Sequence, residues 1–231
     1  MSAGQVYLIP GGHPPDMKQT IQAFAAVFES CGKIKPSVAY VGTANGDNKL
    51  FFQFMKRPMI KAGAGKVTLV PIAGKHTDTE AAKQMLSEAD CVFLSGGEVE
   101  DGIVWLKKAG LDVFMTQLYN GGKLFFGVSA GCIMMGRNWV RWDIENDDST
   151  ASLLDCLNFV PMTFDTHCEN EGWKELKCAL RLMGPGAKGY GLSTNGFYGV
   201  DDDGNLVSFR TAPAVFYNQD GNIIMETKFE K

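Results

Sequence analysis

The sequence has few histidines, no long apolar run and no cluster of lysine and arginine. Histidine occurs three times in 231 residues, and none of the six cysteines forms a Cys-x-x-Cys pair, so we expect no metal site. No run of 18 apolar residues exists, which argues against a membrane-spanning helix. The net charge of −4 and the scattered basic residues argue against nucleic-acid binding.

The composition indicates one globular domain over residues 1–231. Apolar residues make up 45% of the chain and charged residues 21%, and no linker, repeat or low-complexity tract divides it. The first strand begins near the N-terminus with no basic segment before it, so we expect no secretory signal. The cysteines then read as reduced thiols of a cytoplasmic protein. The sequence leaves a homo-oligomer open.

Short apolar runs alternate with amphipathic segments through the first half of the chain. The predicted strands are 6–9, 38–41, 67–70, 91–94 and a fifth that ends before residue 127, and the predicted helices are 16–31, 48–61, 78–89, 99–109 and 112–120. Pro58 is expected to kink or end the second helix. This alternation predicts an α/β fold, with a doubly wound, mainly parallel sheet covered by helices on both faces.

After about residue 185 the pattern changes to short strands separated by turns. The runs 196–200, 206–209, 214–217 and 223–227 are separated by Asp-Gly turns at 202–205 and 219–222. We expect antiparallel C-terminal hairpins on the edge of the same sheet.

Residues 127–131 spell Gly-Val-Ser-Ala-Gly between two apolar runs. A strand, a Gly-x-Ser-x-Gly turn and a helix make a nucleophile elbow, which lifts a serine oxygen above the end of the sheet. The pattern predicts Ser129 as a nucleophile. Cys132 is expected to face the core within the first turn of the new helix.

A serine nucleophile needs a base, usually histidine. His76 lies in a loop and is interpreted as a surface residue, whereas His13 follows the first strand and is a candidate substrate contact. His167 follows a predicted strand over 159–164 and is the predicted base; the alternative is a loop histidine bonded to Asp165. No histidine occurs later in the chain, so the Ser–acid–His order of α/β-hydrolases is not matched.

The elbow, the Phe-Leu-Ser-Gly-Gly-Glu segment at 93–98, the Asp-Thr-His segment at 165–167 and the Gly-Leu pair at 191–192 follow one another in a familiar order. In these motifs the chain resembles the peptidase E and cyanophycinase family of serine peptidases. The resemblance spans most of the chain. It implies a flavodoxin-like domain related to class I glutamine amidotransferases, and hydrolysis of small peptides or related amides.

The resemblance also implies roles for individual residues. Ser129 would be the nucleophile and His167 the base, and the main-chain N–H groups of Gly97 and Ala130 would form the oxyanion hole. No cofactor would be required.

The third member of the triad departs from the family pattern. The family usually places a glutamate, which orients the histidine, where this sequence has Thr194. Asn195 follows and can hold an imidazole through a neutral hydrogen bond. We expect Asn195 to orient the base, with Asp143, Glu169 and Thr194 as alternatives.

Substrate recognition departs from the family as well. Residues 169–173 are acidic where family members that act on aspartyl substrates are basic, and Glu98 follows the Gly-Gly pair. Glu98, His13, Asp165 and Arg141 are candidate substrate contacts. We expect a specificity other than simple aspartyl-dipeptide cleavage.

These observations favour a serine peptidase that acts on a small peptide or amide. One alternative is a catalytically weak or inactive member of the same superfamily that binds a ligand as a sensor. A less favoured alternative is a glutamine amidotransferase-like subunit, suggested by the spacing of His167 and Glu169.

Overall fold

The computed structural model describes residues 3–12, 16–144 and 147–226. The strands are β1 (Val6–Ile9), β2 (Ser37–Val41), β3 (Lys66–Val70), β4 (Cys91–Leu94), β5 (Leu124–Val128), β6 (Asn138–Trp142), β7 (Ala151–Asp155), β8 (Thr163–Thr166), β9 (Lys188–Leu192), β10 (Tyr198–Val200), β11 (Leu206–Ser208), β12 (Ala214–Gln219) and β13 (Asn222–Met225). The helices are α1 (Met17–Ser30), α2 (Lys49–Lys61), α3 (Thr79–Glu88), α4 (Val99–Lys108), α5 (Leu111–Asn120), α6 (Ala130–Met135) and α7 (Lys174–Met183).

The central sheet has the strand order β11-β10-β1-β5-β4-β2-β3. The five strands from β1 to β3 in that order are mutually parallel, whereas β10 and β11 join antiparallel at the β1 edge. The predicted α/β architecture with a mainly parallel sheet is confirmed. Parallel strands require crossover connections, and here helices supply them.

Helices cover both faces of this sheet. Successive side chains of β4 point to opposite faces, so Val92 and Leu94 pack into one apolar cluster with α3 to α6, while Cys91 and Phe93 pack into another with α1 and α2. Strands buried on both faces explain the unbroken apolar runs in the sequence.

The α1 face of the sheet is rich in aromatic contacts. Phe24 of α1 meets the rings of Phe93 and Phe126 edge-on, with centroids 6.0 and 5.8 Å apart. Each fully buried phenylalanine contributes about 1.5–3 kcal/mol by leaving water. The helix is set in place by Asp16, whose Oδ1 accepts hydrogen bonds from the N–H groups of Lys18 and Gln19.

Three local predictions differ from the structure. Helix α2 continues through Pro58 and ends at Lys61, so the proline does not break it. The strand predicted over 159–164 begins only at Thr163, because Phe159 and Val160 are buried within a loop. An apolar run reports burial and does not by itself identify a strand.

The strands in the later part of the chain also differ from the prediction. β10 and β11 join the central sheet as expected, but β12 and β13 form a second sheet of order β13-β12-β9-β8. A separate hairpin, β6–β7, was not predicted. The second sheet matters for the site because β8 and β9, which run parallel, carry the segments around residues 167 and 194.

Several chain segments meet beyond the carboxyl ends of these strands. The N–H of Ser129, after β5, donates to the carbonyl of Ile9 at 3.1 Å, and the N–H of Asn195 donates to that of Gly11 at 2.8 Å. The N–H of His167, after β8, donates to the carbonyl of Leu192 at 3.0 Å. Ligand sites of open α/β sheets lie at this edge.

In the described part of the chain, no helix has both the length and the apolar character needed to cross a membrane.

Candidate active site

Ser129 sits on a strained turn between β5 and α6. Its φ of 54° and ψ of −120° lie outside the regions that non-glycine residues favour, at a cost of about 1–3 kcal/mol. Neighbouring glycines make the turn possible: a Cβ at Gly127 would lie 2.6 Å from the carbonyl carbon of Gly131, and a Cβ at Gly131 would collide with the carbonyl oxygen of Leu94. The predicted Gly-x-Ser-x-Gly pattern therefore corresponds to a tightly packed elbow.

The side chains of Ser129 and His167 meet directly. The Ser129 Oγ lies 2.8 Å from the His167 Nε2, and both residues are half-buried. His167 itself adopts a positive φ of 47°, and its N–H is tied to β9. When Nε2 is unprotonated it can accept the serine proton, as a general base must.

The Gly96–Gly97 peptide lies beside the serine. An ideal Cβ at Gly96 would be 3.3 Å from the Ser129 Cβ, so only a glycine leaves room there. The Gly96 carbonyl accepts a hydrogen bond from the Asn45 Nδ2 at 2.8 Å. Because the N–H and C=O of a trans peptide point in opposite directions, the Gly97 N–H points away from Asn45.

Asn45 belongs to a buried polar chain that the sequence did not reveal. Its Nδ2 also donates to the Ser95 Oγ at 2.9 Å, and that hydroxyl lies 2.7 Å from the Tyr40 hydroxyl. Burial raises the pKa of Tyr40 to about 12, so its hydroxyl remains protonated. This chain fixes the Gly-Gly peptide, and its signal was only an asparagine four residues after β2.

Glu169 approaches the position at which Thr194 replaces the family glutamate. Its Oε1 accepts a hydrogen bond from the Thr194 N–H at 3.0 Å. Partial burial acts to raise the pKa of Glu169, but the hydrogen bonds from Thr194 and the charge of His167 outweigh it and lower that pKa. Glu169 thus stays ionised and interacts electrostatically with His167.

The other two candidates for the orienting role are placed differently. Asn195 has a φ of 59°, its N–H binds Gly11, and its carbonyl accepts from Arg210 at 3.4 Å. Asp143 is exposed after β6, where its N–H points to the carbonyl of Thr150. The structure shows no contact from either side chain to His167 among the described hydrogen bonds.

A cavity of about 470 Å³ opens beside the elbow. Ser129, His167 and the Gly-Gly peptide form its floor, and Glu98 stands at its rim. The remaining wall is largely apolar and comes from α1 and α2.

Two of the predicted substrate contacts lie outside this lining. Asp165 is only 1% exposed, its Oδ1 accepts from the Thr166 N–H, and burial raises its pKa to about 6. Arg141 is exposed on β6 and pairs with Glu100 at 3.2 Å. Both were chosen for closeness in sequence, but Asp165 points beneath the loop and Arg141 along the hairpin. His13 lies outside the described residues.

A group of acidic residues lies next to the His167 loop. Burial raises the pKa of Glu175 to about 7, and the charge of Asp165 adds to the rise. Asp165, Cys168 and Glu175 each place one ligand atom within 4.8 Å of the others. Two carboxylates and a thiol suit a divalent cation chemically, and this grouping was not expected from the sequence.

The fold and the site define a class of protein: an α/β domain with a nucleophile elbow at the carboxyl edge of a mainly parallel sheet. The chain belongs to Peptidase family S51, which residues 6–203 match. Its activity class is therefore that of a peptidase, a hydrolase. The resemblance to peptidase E is confirmed at the level of the family.

Curated relatives are more distant. The chain is 28% identical over 131 residues to imidazole glycerol phosphate synthase subunit HisH of Bacteroides fragilis, covering 54% of this chain and 63% of that protein. It is 22% identical over 137 residues to the uncharacterized peptidase YgaJ of Bacillus subtilis, covering 59% of this chain and 56% of that one. These matches span less than two thirds of the relatives' lengths.

Solved structures share the fold. A peptidase from an acI-B1 Actinobacterium superposes with a TM-score of 0.69 at 15% identity, covering 99% of this chain and 96% of that one. A candidate peptidase E protein from Listeria monocytogenes EGD-e gives 0.66 at 18% identity, covering 91% and 100%.

Proposed function

We propose that the protein is a serine peptidase that cleaves small peptides or related amides through an acyl-enzyme on Ser129. The observation that carries the proposal is the 2.8 Å contact between the Ser129 Oγ and the His167 Nε2 at the base of an open cavity. A strained serine held against an imidazole is the arrangement that nucleophilic catalysis requires.

In the proposed reaction, His167 takes the hydroxyl proton while the Ser129 Oγ attacks the amide carbon. The imidazolium then gives this proton to the leaving amine, and the carbon–nitrogen bond breaks to leave an ester on Ser129. A water molecule attacks the ester with His167 again as base, which releases the acid and restores the serine.

The N–H groups of Gly97 and Ala130 are the proposed oxyanion hole. Ala130 is the first residue of α6, and the first-turn amides of a helix have no acceptor within it. The Gly97 N–H belongs to the peptide that Asn45 fixes beside the serine. Donors fixed in advance stabilise the developing negative charge without reorganising during the reaction.

Glu169 is the proposed orienting group for His167, in preference to Asn195, Asp143 and Thr194. It is ionised, and its pKa responds to the charge of the imidazole. Its hydrogen bond to the Thr194 N–H brings a carboxylate to the place where the family supplies one from the chain after β9. A carboxylate there stabilises the imidazolium that forms during the reaction.

The two alternative functions are less well supported. A protein that only binds ligand does not need the strain at Ser129 or a serine–imidazole contact, yet the structure has both. The similarity to HisH keeps an amidotransferase-like activity as a second candidate. Ammonia release from glutamine, measured beside peptide hydrolysis, separates the two enzymes.

The proposal is tested with Ser129→Ala, His167→Gln and Cys132→Ala in a peptide-hydrolysis assay. Loss of either catalytic group is expected to lower kcat at least about 1,000-fold. Cys132 is buried, its Sγ faces the Gly127 carbonyl, and burial raises its pKa, so Cys132→Ala tests the rival thiol nucleophile. Full activity in Ser129→Ala together with loss in Cys132→Ala would reverse the assignment.

A further inference from the structure

The wall of the cavity beside Ser129 carries large apolar side chains. Phe51 and Phe54, one turn apart on α2, are 37% and 48% exposed, and their ring centroids are 6.2 Å apart. Met55 on the same helix and Met17 on α1 extend this surface. Exposed aromatic rings grouped around a cavity mark a surface that binds an apolar group.

The only charged side chain in the described lining is that of Glu98. It is exposed, and at the N-terminus of α4 it makes no capping hydrogen bond to its own helix. Its charge contributes to the raised pKa of Glu175, so negative groups face one another on this side. A cation is favoured at the rim, and a substrate carboxylate is repelled.

The position of Glu98 in the chain limits where that cation lies. Glu98 directly follows Gly97, the proposed donor to the substrate carbonyl oxygen. In an N-terminal aminoacyl group, the α-ammonium is attached to the carbon next to that carbonyl. A free amino group would therefore lie near Glu98 while the side chain enters the cavity.

We propose that the site accepts peptides or amides whose N-terminal residue has a large apolar side chain and a free amino group. The side chain binds against Phe51 and Phe54, and the ammonium pairs with Glu98. This inference rests on the proposed function, since it places the carbonyl between Ser129 and Gly97. An N-terminal aspartate is disfavoured because its carboxylate would lose water in an apolar cavity next to another carboxylate.

The first test compares dipeptides with a common C-terminal glycine. We expect kcat/KM for Phe-Gly, Leu-Gly and Met-Gly to exceed that for Asp-Gly, Lys-Gly and Ala-Gly by about tenfold or more. N-acetyl-Phe-Gly is expected to be at least about tenfold poorer than Phe-Gly, because it lacks the ammonium. Equal or better cleavage of Asp-Gly, or indifference to acetylation, overturns the proposal.

The second test uses paired variants. Phe54→Ala should lower kcat/KM for Phe-Gly about tenfold and leave Ala-Gly nearly unchanged, whereas Ile60→Ala, at an exposed position of the same helix outside the lining, should change neither. Glu98→Gln should reduce cleavage of Phe-Gly but not of its acetylated form, with the exposed Glu88→Gln as the charge-matched control. Uniform losses for all substrates contradict the assigned roles.

The two levels of the account can fail separately. If a fluorophosphonate labels Ser129 but the substrate preferences are absent, only the specificity is wrong. If neither labelling nor hydrolysis of any peptide occurs, the proposed function itself is wrong.

Discussion

The Oε1 of Glu169 accepts a hydrogen bond from the main-chain N–H of Thr194 at 3.0 Å. The two residues come from segments after β8 and β9, which are parallel neighbours in the second sheet. The carboxylate reaches across this pair of strand ends toward the region of His167, whose charge lowers its pKa. A replacement within the chain after β9 is thereby matched by a carboxylate from the segment after β8.

Glu169→Gln is expected to lower kcat about 100-fold or more, with a smaller effect on KM. The carboxylate favours the protonated imidazole, so its loss lowers the pKa of His167. Since the reaction needs the unprotonated base, the acid limb of kcat/KM should move to lower pH. Steady-state pH profiles measure both effects.

Asn195→Gly is the matched comparison, because the φ of 59° suits glycine and only the side chain is lost. Its activity should stay within about tenfold of the wild type, with an unchanged acid limb. If Asn195→Gly is the more severe variant and Glu169→Gln is nearly neutral, the asparagine is the orienting group.

Asn45→Ala tests the fixation of the Gly96–Gly97 peptide. Without the Nδ2 donor to the Gly96 carbonyl, the peptide can rotate, and one oxyanion donor is misplaced. We expect kcat to fall about 10–100-fold with little change in KM, because the interaction is made to the transition state. Asn45→Asp, which keeps the shape but places an acceptor against that carbonyl, should be at least as impaired. Wild-type kcat in both variants would contradict the role.

Gly131→Ala tests the packing of the elbow. The added Cβ would collide with the carbonyl oxygen of Leu94, so we expect a loss on the order of 3 kcal/mol in the free energy of unfolding. At Gly74 an added Cβ meets nothing within 4 Å, so Gly74→Ala should change that energy by less than about 1 kcal/mol. Urea denaturation compares the two, and equal stabilities would mean that the elbow has room to spare.

Glu175→Gln tests the buried carboxyl group beside the His167 loop. The folded-state pKa of Glu175 is raised to about 7, so the folded protein holds a proton that the unfolded chain loses near its ordinary pKa. This contribution to stability is complete at low pH and is lost as the pH rises through about 7.

Relative to the wild type, Glu175→Gln should therefore be about 1–3 kcal/mol more stable at pH 8 than at pH 5. The exposed Glu88→Gln should show no such difference between the two pH values. Denaturant melts at both values measure the change. A wild type and Glu175→Gln that respond alike to pH would show that Glu175 ionises normally.

The elbow and the parallel sheet were predictable because both are written in local sequence. Apolar runs gave the buried strands, and the glycines at 127 and 131 marked a turn that admits no other residue. The pairing of Ser129 with His167 followed from the scarcity of histidine, together with the family order of motifs.

Other features depend on how distant segments meet. The sequence around Asn45 contains no sign that its amide would hold the Gly96 carbonyl, since this contact spans 51 positions. The ranking of Asn195 above Glu169 came from alignment with the family, which cannot show that a carboxylate 25 positions earlier reaches the Thr194 N–H. The assignment of β12 and β13 to a second sheet was likewise invisible to local patterns.

The most direct test of the central claim is active-site labelling with a fluorophosphonate, followed by peptide mass spectrometry. The account predicts one covalent adduct, located on Ser129, with none in Ser129→Ala and slow labelling in His167→Gln. A wild-type protein that hydrolyses peptides but carries no adduct on Ser129, or a Ser129→Ala variant with full activity, would contradict it.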